Sequence, residues 1–239
     1  MFSFHRKKIL SFLKKLIFVC ISVSFYWVLM YKFINPPITS LMVIRALEHD
    51  SAKGKFRHQH RWVSLKDISP NVVWAVIAAE DNNFTSHCGV DWQAIQKARQ
   101  INKYSRIKHG ASTISQQTAK NVFLFPSRTY FRKAVELYFT FLMELCWSKR
   151  RIMEVYLNVV EMGRGIYGVE AASQFYFKKH ASQLPRLLCW QQSYLPPCVV
   201  ILRNHLTTLL TGNNESYRLC INWENQIYRN AYANPVFFA

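Results

Sequence analysis

Two acids close an apolar run in this chain: VVWAVIAAED sets Glu80 beside Asp81, and Phe84, His87 and Gly89 follow at short spacing. A carboxylate at the C-terminal end of a helix faces the negative pole of the macrodipole. An apolar wall beside Glu80 also disfavours its charged form. Both effects ready a carboxyl group to accept a proton near neutral pH. Taken alone, the pair fits equally a solvated helix end with two idle acids.

A second stretch, HGASTISQQTAKN, runs from His109 to Asn121. Gly110 permits a tight approach, Ser112 or Thr113 can cap a helix, and Thr113 with Gln116 has capping-box spacing. Gln116 and Lys120 then share a helix face, with Gln117 adjacent. A helix N-terminus with a lysine one or two turns on can hold an anion. Arg128, Arg132 and Lys133 follow closely. An ordinary capped helix with a solvated basic face is the open alternative. A third stretch, RKAVELYFTFLMELCWSKRRIMEVYLN, repeats Val135, Tyr138, Phe139, Leu142, Leu145 and Cys146 at helical spacing, which makes it a core element broken near Ser148. Glu136 interrupts its first turn and fits a dipole-stabilising carboxylate. Glu144 and Glu154 are expected to pair with nearby basic residues on a solvated face. Gly163, Gly165 and Gly168 form a glycine-rich turn that is weak evidence of phosphate binding.

The elements that must position these residues are partly legible. Ser69-Pro70 is an N-cap followed by proline at the first helical position, so a helix spans 70–80. Upstream, Arg6, Lys7, Lys8, Lys14 and Lys15 precede an uncharged run from Leu16 to Tyr31. Snorkelling by Lys14, Lys15 and Lys32 lets this slightly short run span a bilayer. Tyr26, Trp27 and Tyr31 sit where an interfacial belt would lie, and the positive-inside rule leaves the N-terminus in the cytoplasm. A cleaved leader is the alternative, but no small-residue cleavage site follows the run. Asn35-Pro36-Pro37 reads as a stiff linker. The chain has 239 residues and a net charge of +18, which calls for an anionic partner. No basic and stacking-aromatic module points to nucleic acid. The six cysteines show neither CxxC pairs nor metal-ligand spacing, so no disulfide framework or metal site is expected.

Each piece is ambiguous, but their order is not. EDNNFTSHCGVD, GASTISQQTAKN, RKAVE and SKRRIMEVYLN together resemble the peptidoglycan glycosyltransferase family, specifically its monofunctional biosynthetic branch in Gram-negative bacteria. PPITSLMVIR and FLFPSRTYFRKAVELYFT fit that branch too, and the resemblance covers residues 35–184. It implies a mainly α, lysozyme-like lobe with a small membrane-hugging jaw, preceded by one transmembrane helix. It implies polymerisation of lipid II, with undecaprenyl-pyrophosphate-linked glycan as donor. By the family pattern Glu80 is the general base toward the acceptor GlcNAc 4-hydroxyl, and Glu136 is a second essential carboxylate near the donor diphosphate. Ser112, Gln116, Gln117, Lys120, Arg128 and Arg132 match positions lining the donor site. A departing pyrophosphate needs fixed positive charge. Lys120 and Arg128 can supply it without a bound metal, although a divalent cation could assist. Expected partners are lipid II, lipid-linked glycan and the inner membrane, with cell-division or cell-wall synthesis proteins as candidates.

The organisation expected is a basic end and anchor at 1–33, a catalytic domain at 34–185 and an aberrant tail at 186–239. After ASQL the family has a helix of the type EAALLAAVLPNP, whereas this chain reads PRLLCWQQSYLPPCVV. Written as codons, Leu188 to Pro196 reads CTN TGY TGG CAR CAR TCN TAY CTN CCN; one base earlier, allowed choices spell ALLAAVLP. A frameshift near Pro185 follows as the expectation. A domain without its closing helix risks its whole net stability, on the order of 5–15 kcal/mol. Two other functions compete: a lytic muramidase, which has no use for cations aimed at a pyrophosphate, and a truncated homologue that binds lipid II or a cell-wall partner without turnover.

Overall fold

The computed structural model describes residues 2–50, 58–105, 110–127 and 129–184. Arg128 and the tail expected to be aberrant lie outside the described residues. The architecture is mainly helical, in the order α1 (Phe2–Phe33), α2 (Ser40–Asp50), β1 (Gln59–His60), α3 (Pro70–Glu80), α4 (Trp92–Tyr104), α5 (Ile114–Phe123), α6 (Tyr130–Cys146), α7 (Lys149–Val159), β2 (Glu161–Gly163), β3 (Ile166–Tyr167) and α8 (Val169–Phe177). The strands form one small sheet with β3 in the middle, parallel to β1 and antiparallel to β2.

Helix α5 is the hub. Ile114, Ser115, Gln116, Thr118, Ala119, Asn121, Val122 and Phe123 are all buried, because α5 packs between α6 and α7. A helix buried nearly all round needs apolar or internally bonded side chains. Thr118 accordingly donates to the carbonyl of Ile114 at 2.8 Å. Thr113 and Gln116 close the capping box that the spacing predicts. Helix α3 runs over the expected 70–80, with Pro70 at its first position. The Ser69 hydroxyl does not cap it, however; it donates to the Leu184 carbonyl at 3.1 Å, tying the last described residue to the start of α3. Ser148 caps α7 and accepts from the Arg151 amide, so the break in the third stretch falls where expected.

The anchor is not a bare tether. Helix α1 contains a stretch, Lys7–Phe33, long and apolar enough to cross a membrane. Its last turns dock on the domain. Val28 is fully buried, and its carbonyl accepts from the Trp147 indole N–H at 2.8 Å. Trp27 meets Phe123 and Phe139 edge-on, with ring centres 5.5 and 6.3 Å away. Ser24 and Tyr138 share a hydroxyl hydrogen bond of 2.6 Å. The Arg151 guanidinium donates to the Tyr31 and Ile34 carbonyls at 2.9 and 3.0 Å. That satisfies orphan acceptors at the helix end and complements its dipole. Arg151 also donates to the Asn35 side chain at 2.9 Å, so the linker is fastened to α7.

Candidate active site

An open cleft of about 710 Å³ lies between α2, α3, α5, the start of α6, α7 and β2. Glu80, half-buried, comes to its wall beside Val76 and Ala79. From α5, the Gln117 amide donates to Glu80 Oε2 at 2.9 Å. From α7, the Tyr156 hydroxyl donates to Gln117 Oε1 at 3.4 Å. Burial pushes the Tyr156 phenol well up from its ordinary value, and the charges of Glu80 and Asp81 push it further the same way. Tyr156 therefore stays protonated and must act as a donor.

The paired acids have separate tasks. Asp81 is buried, and both its oxygens lie 2.9 Å from His87 Nε2. The Gly89 amide donates to His87 Nδ1 at 3.1 Å, which leaves the imidazole proton on Nε2 facing Asp81. Asp81 Oδ2 also accepts from the Ile114 amide at 3.0 Å, so a carboxylate sits at the positive end of α5. The loop between α3 and α4 carries this clamp. Gly89 has φ of +86°, and a Cβ there would lie 2.7 Å from Thr140 Cγ2, so only glycine lets the loop press against α6. Its carbonyl accepts from the Thr113 hydroxyl at 2.6 Å. Asp81 thus fixes the end of α3 to the start of α5, and with it Glu80 to Gln117.

The cations gather on the other side of Glu80. Lys120 faces the cleft, where water reaches it, but surrounding protein strips part of its hydration. Burial lowers its pKa from the usual lysine value; Glu136 pulls it back up, Arg132 and Lys133 lower it, and Glu80 raises it. Lys120 therefore sits in the fields of both carboxylates. Arg132 lines the cleft, and both it and Lys133 donate to Glu136. Glu136 is itself buried in the second turn of α6, behind Arg132. Its pairing is the i, i+4 and i, i+3 geometry of adjacent helix turns. Three cations against one carboxylate leave this wall net positive.

Of the residues singled out in the sequence, Glu80, Gln117, Lys120 and Arg132 line the cleft, and Glu136 stands behind Arg132. Gln116 does not share the cleft face with Lys120: it is buried, and its amide oxygen accepts from the Thr113 amide at 3.2 Å in the capping box. Ser112 is exposed ahead of α5 and is not on the cleft wall. Arg128 is outside the described residues. Glu154 pairs with Arg151 as expected. Glu144 pairs with Lys149, but in a largely buried setting where it also accepts from Ser115 at 2.5 Å. Tyr156, Asp81 and Lys133 were not singled out as site residues. The i, i+3 spacing of Lys133 and Glu136 was the available signal for one of them. At the far end, Arg45 of α2 meets Glu161 of β2 at 3.4 Å. Among the described residues, no group of three His, Cys, Asp or Glu side chains could hold a metal ion.

The model of the transglycosylase family matches residues 48–195. A biosynthetic peptidoglycan transglycosylase of Bacteroides thetaiotaomicron is 48% identical over 183 residues, 77% of this chain and 74% of that protein. One from Shewanella oneidensis is 48% identical over 180 residues, 75% of this chain and 76% of that protein. One from Mannheimia succiniciproducens is 40% identical over 213 residues, 89% and 86% respectively. The family model spans more than half of the chain, and these relatives are 40–48% identical to it, so the chain belongs to the transglycosylase family.

Proposed function

We propose that this chain is a membrane-anchored peptidoglycan glycosyltransferase that polymerises lipid II by inverting transfer. One observation carries the reading: Glu80 and the Lys120–Arg132 wall share one cleft. Charged Glu80 takes the proton from the acceptor 4-hydroxyl as that oxygen forms its bond to the donor anomeric carbon. The bond from that carbon to the diphosphate oxygen breaks, and its electron pair leaves with the lipid diphosphate. Lys120 and Arg132 offset the growing negative charge there. Glu136 holds Arg132 in place and keeps the cations from repelling one another apart. Charge sufficient for the leaving group comes from these side chains, so turnover should survive removal of divalent ions; a stimulating cation would show as loss of rate with EDTA.

The basic N-terminus supports a cytoplasmic start and a periplasmic domain. The docking of α1 beside Phe123, one turn from Lys120, supports a cleft that opens near the lipid headgroups. Cell-wall synthesis proteins remain proposed partners. For residues 186–239 the reading is a displaced frame; sequencing the gene decides it, and an intact frame with no recoverable family helix rejects it. Purified protein with labelled lipid II tests the activity. Glycan polymer supports the proposal. Cleavage of preformed glycan would favour a muramidase, and binding without product a non-catalytic homologue.

A further inference from the structure

We propose that Tyr156 is a positioning residue for Glu80, acting through the side-chain amide of Gln117; this rests on Glu80 as the base. Glu80, Gln117 and Tyr156 come from three different helices and form one line of hydrogen bonds, 2.9 Å on the carboxylate side and 3.4 Å on the phenol side. The amide has one donating and one accepting end. Turned over, it would set an acceptor oxygen against the carboxylate and a donor nitrogen against the phenol.

Charged Glu80 alone prefers the observed orientation, but that preference disappears once it holds a proton. Tyr156 supplies one that does not. It is buried, and burial together with the nearby negative charges keeps its hydroxyl protonated. Its proton points at the Gln117 oxygen through the whole cycle. The amide nitrogen is therefore aimed at Glu80 before substrate arrives, which is preorganisation in the ordinary sense. Gln117 engages Oε2, leaving Oε1 for the acceptor hydroxyl. The donated hydrogen bond steadies the carboxylate that accepts the proton, and a variant that loses the bond loses that support. The other charged groups on this cleft are Lys120 from α5, Arg132 from α6, Arg45 from α2 and Glu161 from β2; Asp81, next in sequence to Glu80, is buried against His87 and the Ile114 amide, and Glu136 stands behind Arg132. None of them changes in a Tyr156→Phe protein.

The test uses the full chain in lipid nanodiscs with labelled lipid II. Tyr156→Phe keeps the ring in place and removes only the hydroxyl. We expect kcat to fall about 3- to 10-fold, the size of one neutral hydrogen bond. KM should stay within about two-fold, since the loss falls on the chemical step. The acid limb of the kcat–pH profile should move to higher pH. Gln117→Met should move the same limb in the same direction, and adding Tyr156→Phe to it should cost nothing more. A raised KM with unchanged kcat, an unmoved acid limb, or additive losses in the double variant would each overturn the proposal. An unmoved limb in Gln117→Met overturns the proposal even where Tyr156→Phe does not fold. Glu80→Gln separates the two levels: retained turnover there defeats the base assignment, whereas a dead Glu80→Gln beside an unaffected Tyr156→Phe defeats only the positioning role.

Discussion

Asp81→Asn changes one atom type and should loosen the whole cleft. Asp81 serves two donors, the His87 imidazole at 2.9 Å and the Ile114 amide at 3.0 Å, with both oxygens engaged. Asparagine offers one acceptor and turns a donor toward one of them. Hydrogen bonds to charged groups contribute about 1.5–3 kcal/mol, and a carboxylate at a helix N-terminus adds about 0.3–1 kcal/mol. Asparagine keeps one bond, so the expected loss is about 2–4 kcal/mol. For a domain of this size that lowers the melting temperature by about 4–16 °C. Gln117 lies one turn into the freed helix, so kcat should fall more than KM rises. Thermal unfolding in detergent, followed by near-UV circular dichroism, reads the first effect, and lipid II polymerisation reads the second. An Asp81→Asn protein with the parent's melting temperature and kcat would refute the claim that this carboxylate joins α3 to α5.

Lys120→Met should abolish polymerisation yet raise the melting temperature. Burial depresses the Lys120 pKa, so the unfolded chain binds its proton more tightly. The charged lysine therefore penalises the fold at neutral pH, and the penalty fades as pH rises toward the ordinary lysine value of 10.5. The difference in melting temperature between variant and parent should shrink over that range; a constant or reversed difference contradicts the assignment. Arg151→Ala removes donors to the Tyr31 and Ile34 carbonyls and the Asn35 side chain. It should cost about 2 kcal/mol and speed amide exchange around residues 30–36, while an unchanged exchange rate there would mean that the anchor is held by other contacts.

What the sequence made legible was local. The bounds of α3, the capping box of α5 and the break at Ser148 each follow from residues a few positions apart. What it hid was how a correct local reading redirects a side chain. The Thr113–Gln116 box is right, and for that reason Gln116 is spent on the cap and cannot face the cleft. Ser69 sits at the start of α3, but its hydroxyl is taken by Leu184. Tyr156 lies among buried apolar residues of α7, where a tyrosine reads as packing until α5 brings Gln117 to its hydroxyl. The docking of α1 was out of reach because Val28 and Trp147 are 119 positions apart. By position Glu136 reads as a dipole carboxylate, and only the family resemblance implies an essential carboxylate near the donor diphosphate; the structure buries it against two cations, Arg132 and Lys133.

The central claim is that Glu80 moves a proton and does not hold substrate. The most direct measurement is lipid II binding and turnover by Glu80→Gln on the same preparation. A group acting only in the chemical step leaves binding within about three-fold of the parent and gives no detectable glycan when it is removed. Polymer formed by Glu80→Gln, or loss of binding equal to the loss of rate, would contradict the claim.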